Sequence, residues 1–250
     1  SGETSEADYS GYIIKLKDEA SLFSVRSDEE KPVALAEIKE SLADQDSVDE
    51  ISEADGLYAV SSLEDIASVV DPAVIQYIEP DYTVRMYDDE MKAVRTDVSP
   101  EDNEKHLELM NVPEVRDGYG IRGEDFDTET DMGNDGDPAD HIVIAVIDSG
   151  LDTDHEDIDY THVLPGESFV STATTSDTLG HGTFVTGEII AGSDNGTGID
   201  GIAEDLYVMP LKVFSSRTTA NSTIIKAINY AVEQKTAFDQ SEGKEGANIC

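Results

Sequence analysis

The hydrophobic positions of the second half of the chain begin with an uninterrupted apolar run. Residues 142–147 (IVIAVI) are all apolar and mostly β-branched. A run of this length and composition is typical of a strand that is buried on both faces, as in a parallel sheet. The run stops at Asp148, which is followed by Ser149 and Gly150. The pattern therefore predicts a carboxylate at the carboxyl end of a buried strand, where α/β folds place their functional groups.

The positions that follow alternate between helical and extended patterns. A helix is predicted to begin at residues 180–183 (GHGT) and to end at Gly192, and residues 206–214 (LYVMPLKVF) predict a second buried strand. An amphipathic helix follows over residues 222–234, and residues 247–250 start a third strand. The predicted inner face of the amphipathic helix consists of Ile224, Ala227, Ile228 and Ala231. Strands alternating with helices predict an α/β fold with a parallel sheet.

The first 90 residues have a different order of elements. Strands are predicted at residues 11–17, 48–53, 57–60 and 74–86. One helix is predicted to open at Pro32, and a second at a capping box formed by Ser61 and Glu64. The order β-α-β-β-α-β is that of a small ferredoxin-like α+β domain. Because it contains no cluster of catalytic residue types, this part is interpreted as a binding or folding module.

These patterns divide the chain into three regions. We predict an α+β domain over residues 1–90 with a disordered start, a linker over residues 91–104, and an α/β domain over residues 105–250. The chain opens with SGETSEADYS, without a Met or a signal peptide. We therefore expect that a leader was removed or that the stretch was cut from a longer chain.

The charge limits the partners of the protein. The chain has 16 Lys and Arg against 56 Asp and Glu, a net charge of -40. Binding to nucleic acid or to an anionic membrane surface is therefore not expected. No apolar window is long enough for a membrane span. The acidic surface favours solubility, and cation binding and a salty habitat are the alternatives.

The only cysteine is Cys250. An internal disulfide is therefore impossible, and the redox compartment stays open. We expect Cys250 to lie buried in the third strand as a small hydrophobic residue, without the surroundings of a catalytic thiolate.

The candidate chemistry depends on Asp148 and His181 together. His181 is flanked by Gly180 and Gly182, which leave its ring accessible at the start of a helix. An Asp bonded to one ring nitrogen fixes the tautomer, so that the other nitrogen can take a proton from a nucleophile. The alternative, an aspartyl nucleophile in phosphoryl transfer, usually has a second acid two residues later, and position 150 is Gly. We therefore set the phosphoryl-transfer interpretation aside.

The acidic loop over residues 117–140 has part of the pattern of a calcium loop. Asp127, Glu129 and Asp131 alternate, but Met132 and Gly133 follow them. The EF-hand pattern requires its Gly one place earlier and a helix on each side. The favoured interpretation is a solvated acidic loop.

Four segments together resemble the subtilisin family of serine proteases. They are AVIDSGLDTDHEDI, GHGTFVTGEIIAG, GIAEDLYVMPLKV and IIKAINYAVE, in this order, and the resemblance covers about residues 105–250. The first region is similar to the inhibitory propeptide of the family, with GYIIKLK at its first strand and VIQYIEPDY near its end. The resemblance implies a protease precursor: a propeptide and part of a parallel-sheet catalytic domain.

The resemblance assigns roles to individual residues. Asp148 matches the catalytic Asp, and His181 matches the general base that later acts as general acid. A structural Ca²⁺ site is implied by the loop after the helix, although no cofactor is implied for catalysis. Its implied ligands are the side chains of Asp157 and Asn195 and the carbonyl oxygens of Ser193, Thr197 and Ile199. Phe184 stands where the family usually has a second His, so an altered contact with intact chemistry is expected.

The nucleophile of the family is not recognisable in these residues. Its Gly-Thr-Ser segment is expected beyond Cys250, so this fragment alone is expected to be inactive. Ser149 adjoins Asp148, but we expect its side chain to point away. The substrate implied is protein or peptide, and the propeptide tail, about residues 81–88, is expected to lie in the substrate cleft. The implied location is secreted or at the cell surface. The alternatives are a non-catalytic binding protein with this fold and a propeptide-type inhibitor.

Overall fold

A computed structural model describes residues 8–18, 35–86, 105–114, 142–193, 195–203, 206–241 and 243–250. The chain divides into two compact units, Ser1–Arg85 with Thr218–Asn229, and Met86–Arg217 with Tyr230–Cys250. The predicted linker and the acidic loop over residues 117–140 lie outside the described residues, so the interpretation of that loop stays a prediction.

The first unit is an antiparallel sheet with two helices. Its elements are β1 (Tyr9–Leu16), α1 (Leu35–Ala43), β2 (Val48–Ser52), β3 (Leu57–Val60), α2 (Leu63–Ile66) and β4 (Ile75–Arg85). The predicted order β-α-β-β-α-β is the order observed, and these four strands lie in the sheet order β2-β3-β1-β4. A short strand, β8 (Thr218–Ala220), extends this sheet next to β4. No pattern in the sequence predicted β8.

The core of the first unit follows from the periods of its elements. Side chains alternate along a strand, so Ile14 and Leu16 of β1 face the same side. Ile38 and Leu42 of α1 are four residues apart, on one face of the helix, and pack on that side. The buried cluster contains Ile14, Leu16, Ile38, Leu42, Tyr58, Val60, Ile66, Val70 and Val74.

The predicted capping box of α2 is wrong by one residue. Ser62 is the N-cap, and its hydroxyl accepts a hydrogen bond of 3.1 Å from the backbone N–H of Glu64. Ser61 instead donates from its hydroxyl to the carbonyl of Ser47 at 3.1 Å. With two adjacent serines, spacing alone could not decide which one would turn toward the helix.

The second unit has a parallel sheet. Its strands are β5 (Val143–Asp148), β6 (Glu167–Ser168) and β7 (Tyr207–Lys212), in the order β5-β7-β6, and both pairings are parallel. Helix α3 (Lys105–Leu109) precedes β5, and α4 (His181–Ile190) connects β6 to β7. Ile249 bridges to Val143 in parallel, so the predicted third strand begins beside β5. The predicted α/β fold with a parallel sheet is confirmed.

The core of this unit is formed by the strands and α4. Its buried residues are Val146, Leu151, Ile158, Ile190 and Val208. Every residue of β7 is buried, Lys212 included, as predicted for a second buried strand. The core therefore supports both β5 and α4, the two elements that carry Asp148 and His181.

Two side chains differ from their predicted burial. Helix α5 (Asn221–Ser241) buries Ala227 and Ala231, but Ile228 is 46% exposed. Adjacent helical residues are about 100° apart around the axis, so Ile228 turns away from the stripe that the two alanines form. Cys250 was expected to be buried and is exposed, because the bridge to β5 is made by Ile249. Among the described helices, none is long and apolar enough to cross a membrane.

Candidate active site

The structure brings Asp148 and His181 into direct contact. Asp148 is the last residue of β5, and His181 is the first residue of α4. The ring Nδ1 of His181 lies 2.9 Å from Oδ1 and 2.8 Å from Oδ2 of Asp148. The side chain of His181 is 33% exposed and that of Asp148 is 13% exposed. A mostly enclosed carboxylate thus orients an imidazole whose other face is open to solvent.

The start of α4 is fixed by glycines on both sides of His181. Gly180 is the N-cap with φ 85°, a left-handed conformation that favours Gly. A Cβ on Gly182 would lie 2.2 Å from the carbonyl oxygen of Gly150. The backbone of the first turn of α4 therefore packs directly on the backbone of the turn after β5. This close approach brings the side chains of His181 and Asp148 together.

Ser149 occupies a buried position between Asp148 and the start of α4. The residue is fully buried. Its backbone N–H donates to Oδ1 of Asp148 at 2.6 Å, and its hydroxyl accepts from the N–H of Gly182 at 2.9 Å. These contacts place the hydroxyl of Ser149 against the backbone of the first turn of α4.

Asp177 is a residue of the site that the sequence analysis missed. Its Oδ1 accepts hydrogen bonds from the N–H groups of Leu179 and Gly180. Its Oδ2 accepts from the N–H and the hydroxyl of Thr183. Burial alone would raise the pKa of Asp177, but these hydrogen bonds outweigh it and hold the pKa below the usual 3.8. The signal available in the sequence was an Asp three residues before the glycine that starts the helix.

A buried lysine lies next to this site. Lys212 ends β7, pairs in register with Asp148, and is 1% exposed. Its ammonium group donates to the carbonyl oxygen of Ser176, the residue before Asp177.

Phe184, one turn into α4, is 40% exposed.

The residues predicted to bind calcium are partly brought together. Asp157 is 4% exposed. Its Oδ1 accepts from the side-chain amide of Asn195 at 2.9 Å, and its Oδ2 accepts from the N–H of Ile199 at 2.9 Å. The side-chain oxygen of Asn195 accepts from the N–H of Thr197 at 2.7 Å. Ser193 precedes Asn195, Thr197 and Ile199 in the loop after α4.

These oxygen donors suit a hard cation by their chemistry, since the carboxylate of Asp157 lies beside the amide of Asn195 and the backbone of the following residues. In the structure both carboxylate oxygens already accept hydrogen bonds. Within the part of the chain that the structure describes, no group of three or more His, Cys, Asp or Glu could hold a metal ion. The calcium site therefore stays a prediction.

Asp148 and His181 lie in a segment that is similar to known proteins. Residues 139–243 match the model of the subtilase family. The major intracellular serine protease of Bacillus subtilis (strain 168) is 38% identical over 102 residues, which are 38% of this chain and 31% of that protein. Subtilisin E of Bacillus subtilis (strain 168) is 37% identical over 95 residues, covering 37% of this chain and 24% of that protein. The chain thus spans about a third or less of these two relatives.

The fold also has a counterpart among solved structures. A mutant of the epidermin leader peptide processing serine protease from Staphylococcus aureus matches with a TM-score of 0.56 and 17% sequence identity. The match covers 91% of this chain and 49% of that chain. At this identity the likeness supports the fold alone.

Proposed function

Since residues 139–243 match the model of the subtilase family, we propose that the protein containing this chain is a serine endopeptidase. The observation that carries the proposal is the contact between His181 Nδ1 and the carboxylate of Asp148. In the proposed reaction, a serine hydroxyl attacks the peptide carbonyl and forms an acyl-enzyme, which water then hydrolyses. No cofactor takes part in this chemistry.

The contacts of His181 suit the role of general base. With the Nδ1 proton held by Asp148, Nε2 carries the lone pair that accepts the proton of the serine. The imidazolium that forms is stabilised by the carboxylate, and it then gives its proton to the leaving amine. The N–H of Ser149 donates a hydrogen bond to Oδ1 of Asp148 and helps to hold the carboxylate in this orientation.

The nucleophilic serine is proposed to come from sequence after Cys250, and the present chain alone is proposed to be inactive. The test is to express a longer chain, extended past Cys250, and to measure hydrolysis of a casein or peptide substrate. His181→Ala should lower kcat/KM by several orders of magnitude, since the general base is removed. His155→Asn, which changes an exposed His, is the matched control and should keep the activity.

The proposal fails if the longer chain has no Gly-Thr-Ser segment, or if His181→Ala keeps the activity of the unchanged protein. The rival function, a non-catalytic binding protein with this fold, would then be favoured. The intact pair of Asp148 and His181 argues against that rival, because the fold alone does not require both side chains.

The first unit is proposed to act as an inhibitory propeptide, with residues 81–88 occupying the substrate cleft as an added strand. In support, the end of β4 pairs antiparallel with β8, through the residue pairs Thr83–Ala220, Val84–Thr219 and Arg85–Thr218. The test is to add a polypeptide of residues 1–90 to a subtilisin. Competitive inhibition is expected, and its absence at micromolar concentration would contradict the assignment.

A calcium ion is proposed to bind the side chains of Asp157 and Asn195 and the carbonyl groups of Ser193, Thr197 and Ile199 in the loop after α4. Such an ion would tie the loop to Asp157 and stabilise the folded state. Chelator should therefore lower the melting temperature of the complete domain, and added Ca²⁺ should restore it. Asp157→Asn should remove this dependence. A transition that chelator leaves unchanged would contradict the site.

Secretion is proposed on the basis of relatives such as the minor extracellular protease Epr, although another relative is an intracellular protease. Fractionation of a culture of the source organism, with an antibody against residues 142–250, tests it. Recovery of the protein only within the cells would contradict this location.

A further inference from the structure

Helix α4 begins at the residue that bears the imidazole, without a capping side chain of its own. The N-cap is Gly180, which offers no side-chain hydrogen bond, and His181 is the first helical residue. The first N–H groups of a helix have no partner inside the helix, and a first turn without caps frays. The position of His181 therefore depends on groups outside α4.

The carboxylate of Asp177 is one of these groups. Each oxygen of its carboxylate accepts two hydrogen bonds, so this one side chain has four donor groups around it. Oδ1 lies 2.9 Å from the N–H nitrogen of Leu179 and 3.0 Å from that of Gly180. Oδ2 lies 2.9 Å from the backbone nitrogen and 2.8 Å from the hydroxyl of Thr183. A negative charge at this position also interacts favourably with the positive, N-terminal end of the helix dipole.

The contacts of Asp177 continue to the strand that carries Asp148. The hydroxyl of Thr183 accepts a hydrogen bond of 2.9 Å from the N–H of Asp152, in the turn after β5. The N–H of Gly182 donates to the hydroxyl of Ser149 in the same turn. The first turn of α4 is thus tied to β5 through Thr183 and Gly182, and Asp177 holds Thr183 in place.

We propose that Asp177 is a positioning residue, which anchors the first turn of α4 and thereby holds His181 against Asp148. It acts through the helix and does not touch the reacting atoms. The role deepens the proposed protease function, but its first test needs only the present chain.

The test is the exchange with water of the Nδ1 proton of His181, measured by NMR on the 250-residue chain. Asp177→Asn offers one acceptor oxygen where the carboxylate offers two, so one pair of donors loses its acceptor. Exchange should become about tenfold faster, as expected for the loss of about one net hydrogen bond. Asp159→Asn is the matched control, because Asp159 makes the same two contacts, to the N–H and hydroxyl of Thr161, away from α4.

A purely structural role of Asp177 would give a different result. Asp177→Asn would then lower the melting temperature without changing the exchange of the His181 proton. Asp159→Asn would change neither, because one oxygen of Asp159 accepts both of its hydrogen bonds. Wild-type exchange in a folded Asp177→Asn chain overturns the proposal. If Asp177→Asn does not fold, Thr183→Val takes its place, because it removes only the hydroxyl that links Asp177 to Asp152. Unchanged exchange in Thr183→Val equally overturns the proposal.

Kinetics of a longer, active chain give a second readout. Asp177→Asn should lower kcat by about tenfold or more while KM stays near the wild-type value, since substrate contacts are not altered. If the wild-type protein hydrolyses no peptide, the proposed function fails, while the NMR measurement still decides the role of Asp177. Equal kcat for both proteins would contradict the positioning role.

Discussion

Tyr58 places a hydroxyl group in the apolar core of the first unit. The residue is fully buried, and no described donor or acceptor lies within hydrogen-bond distance of its hydroxyl. An unpartnered buried hydroxyl costs about 1–3 kcal/mol. Tyr58→Phe should therefore raise the free energy of unfolding by about 1 kcal/mol, measured by urea denaturation. Tyr77→Phe is the control, since Tyr77 is 43% exposed. A loss of stability in Tyr58→Phe would contradict the missing hydrogen bond.

The same residue predicts a change in stability at alkaline pH. Burial, followed by the charges of Glu50 and Glu53, raises the pKa of Tyr58 from 10.0 to about 12. The unfolded chain therefore ionises at a lower pH than the folded chain, and ionisation favours unfolding. The contribution of neutral Tyr58 is full below pH 10 and is lost as the pH rises toward about 12. Tyr58→Phe should lose less stability than the wild type over this range, and equal losses would contradict the shift.

The N-terminal turn of α5 depends on a carboxylate from β4. Asp81 is 4% exposed. Its Oδ1 accepts from the N–H of Ser222 at 2.9 Å, and its Oδ2 accepts from the hydroxyl of Ser222 at 2.6 Å. Asp81→Ala should lower the free energy of unfolding of the first unit by about 1–2 kcal/mol, since a cap is lost and buried donors remain. Hydrogen exchange of the Ser222 amide should become faster at the same time.

A second acidic residue that contacts the same helix provides the control. Asp49 forms an ion pair with Lys226 of α5, but its side chain is 70% exposed. Exposed ion pairs contribute only about 0–1 kcal/mol. Asp49→Ala should therefore change stability by less than Asp81→Ala. Equal effects of the two substitutions would show that burial of the carboxylate does not decide its contribution.

At this scale the sequence predicted elements well where their patterns were local. The apolar run before Asp148 and the glycines around His181 placed β5 and α4, and with them the central contact of the site. The strand β8 was missed because its three residues are only partly buried, and its stability comes from pairing with the distant β4. Asp177 was missed because its carboxylate meets its four donor groups only when the loop before α4 folds back on the helix.

The whole molecule has an excess of negative charge that should make its stability depend on salt. With 16 basic against 56 acidic residues, most carboxylates have no basic partner, and their repulsion opposes the compact state. Salt shortens the range of this repulsion, from about 10 Å at 0.1 M to about 3 Å at 1 M. The melting temperature should therefore rise by several degrees between 0.05 and about 1 M NaCl.

Two comparisons separate screening from other effects of salt. KCl should act like NaCl, since screening depends on ionic strength and not on the identity of the cation. Sulfate is avoided because it also strengthens apolar burial. The effect should be smaller at about pH 5, where carboxylates begin to take up protons and the net charge falls, toward the isoelectric point of about 4.1. A melting temperature that stays constant or falls with added NaCl at pH 7 would contradict repulsion as a main limit on stability.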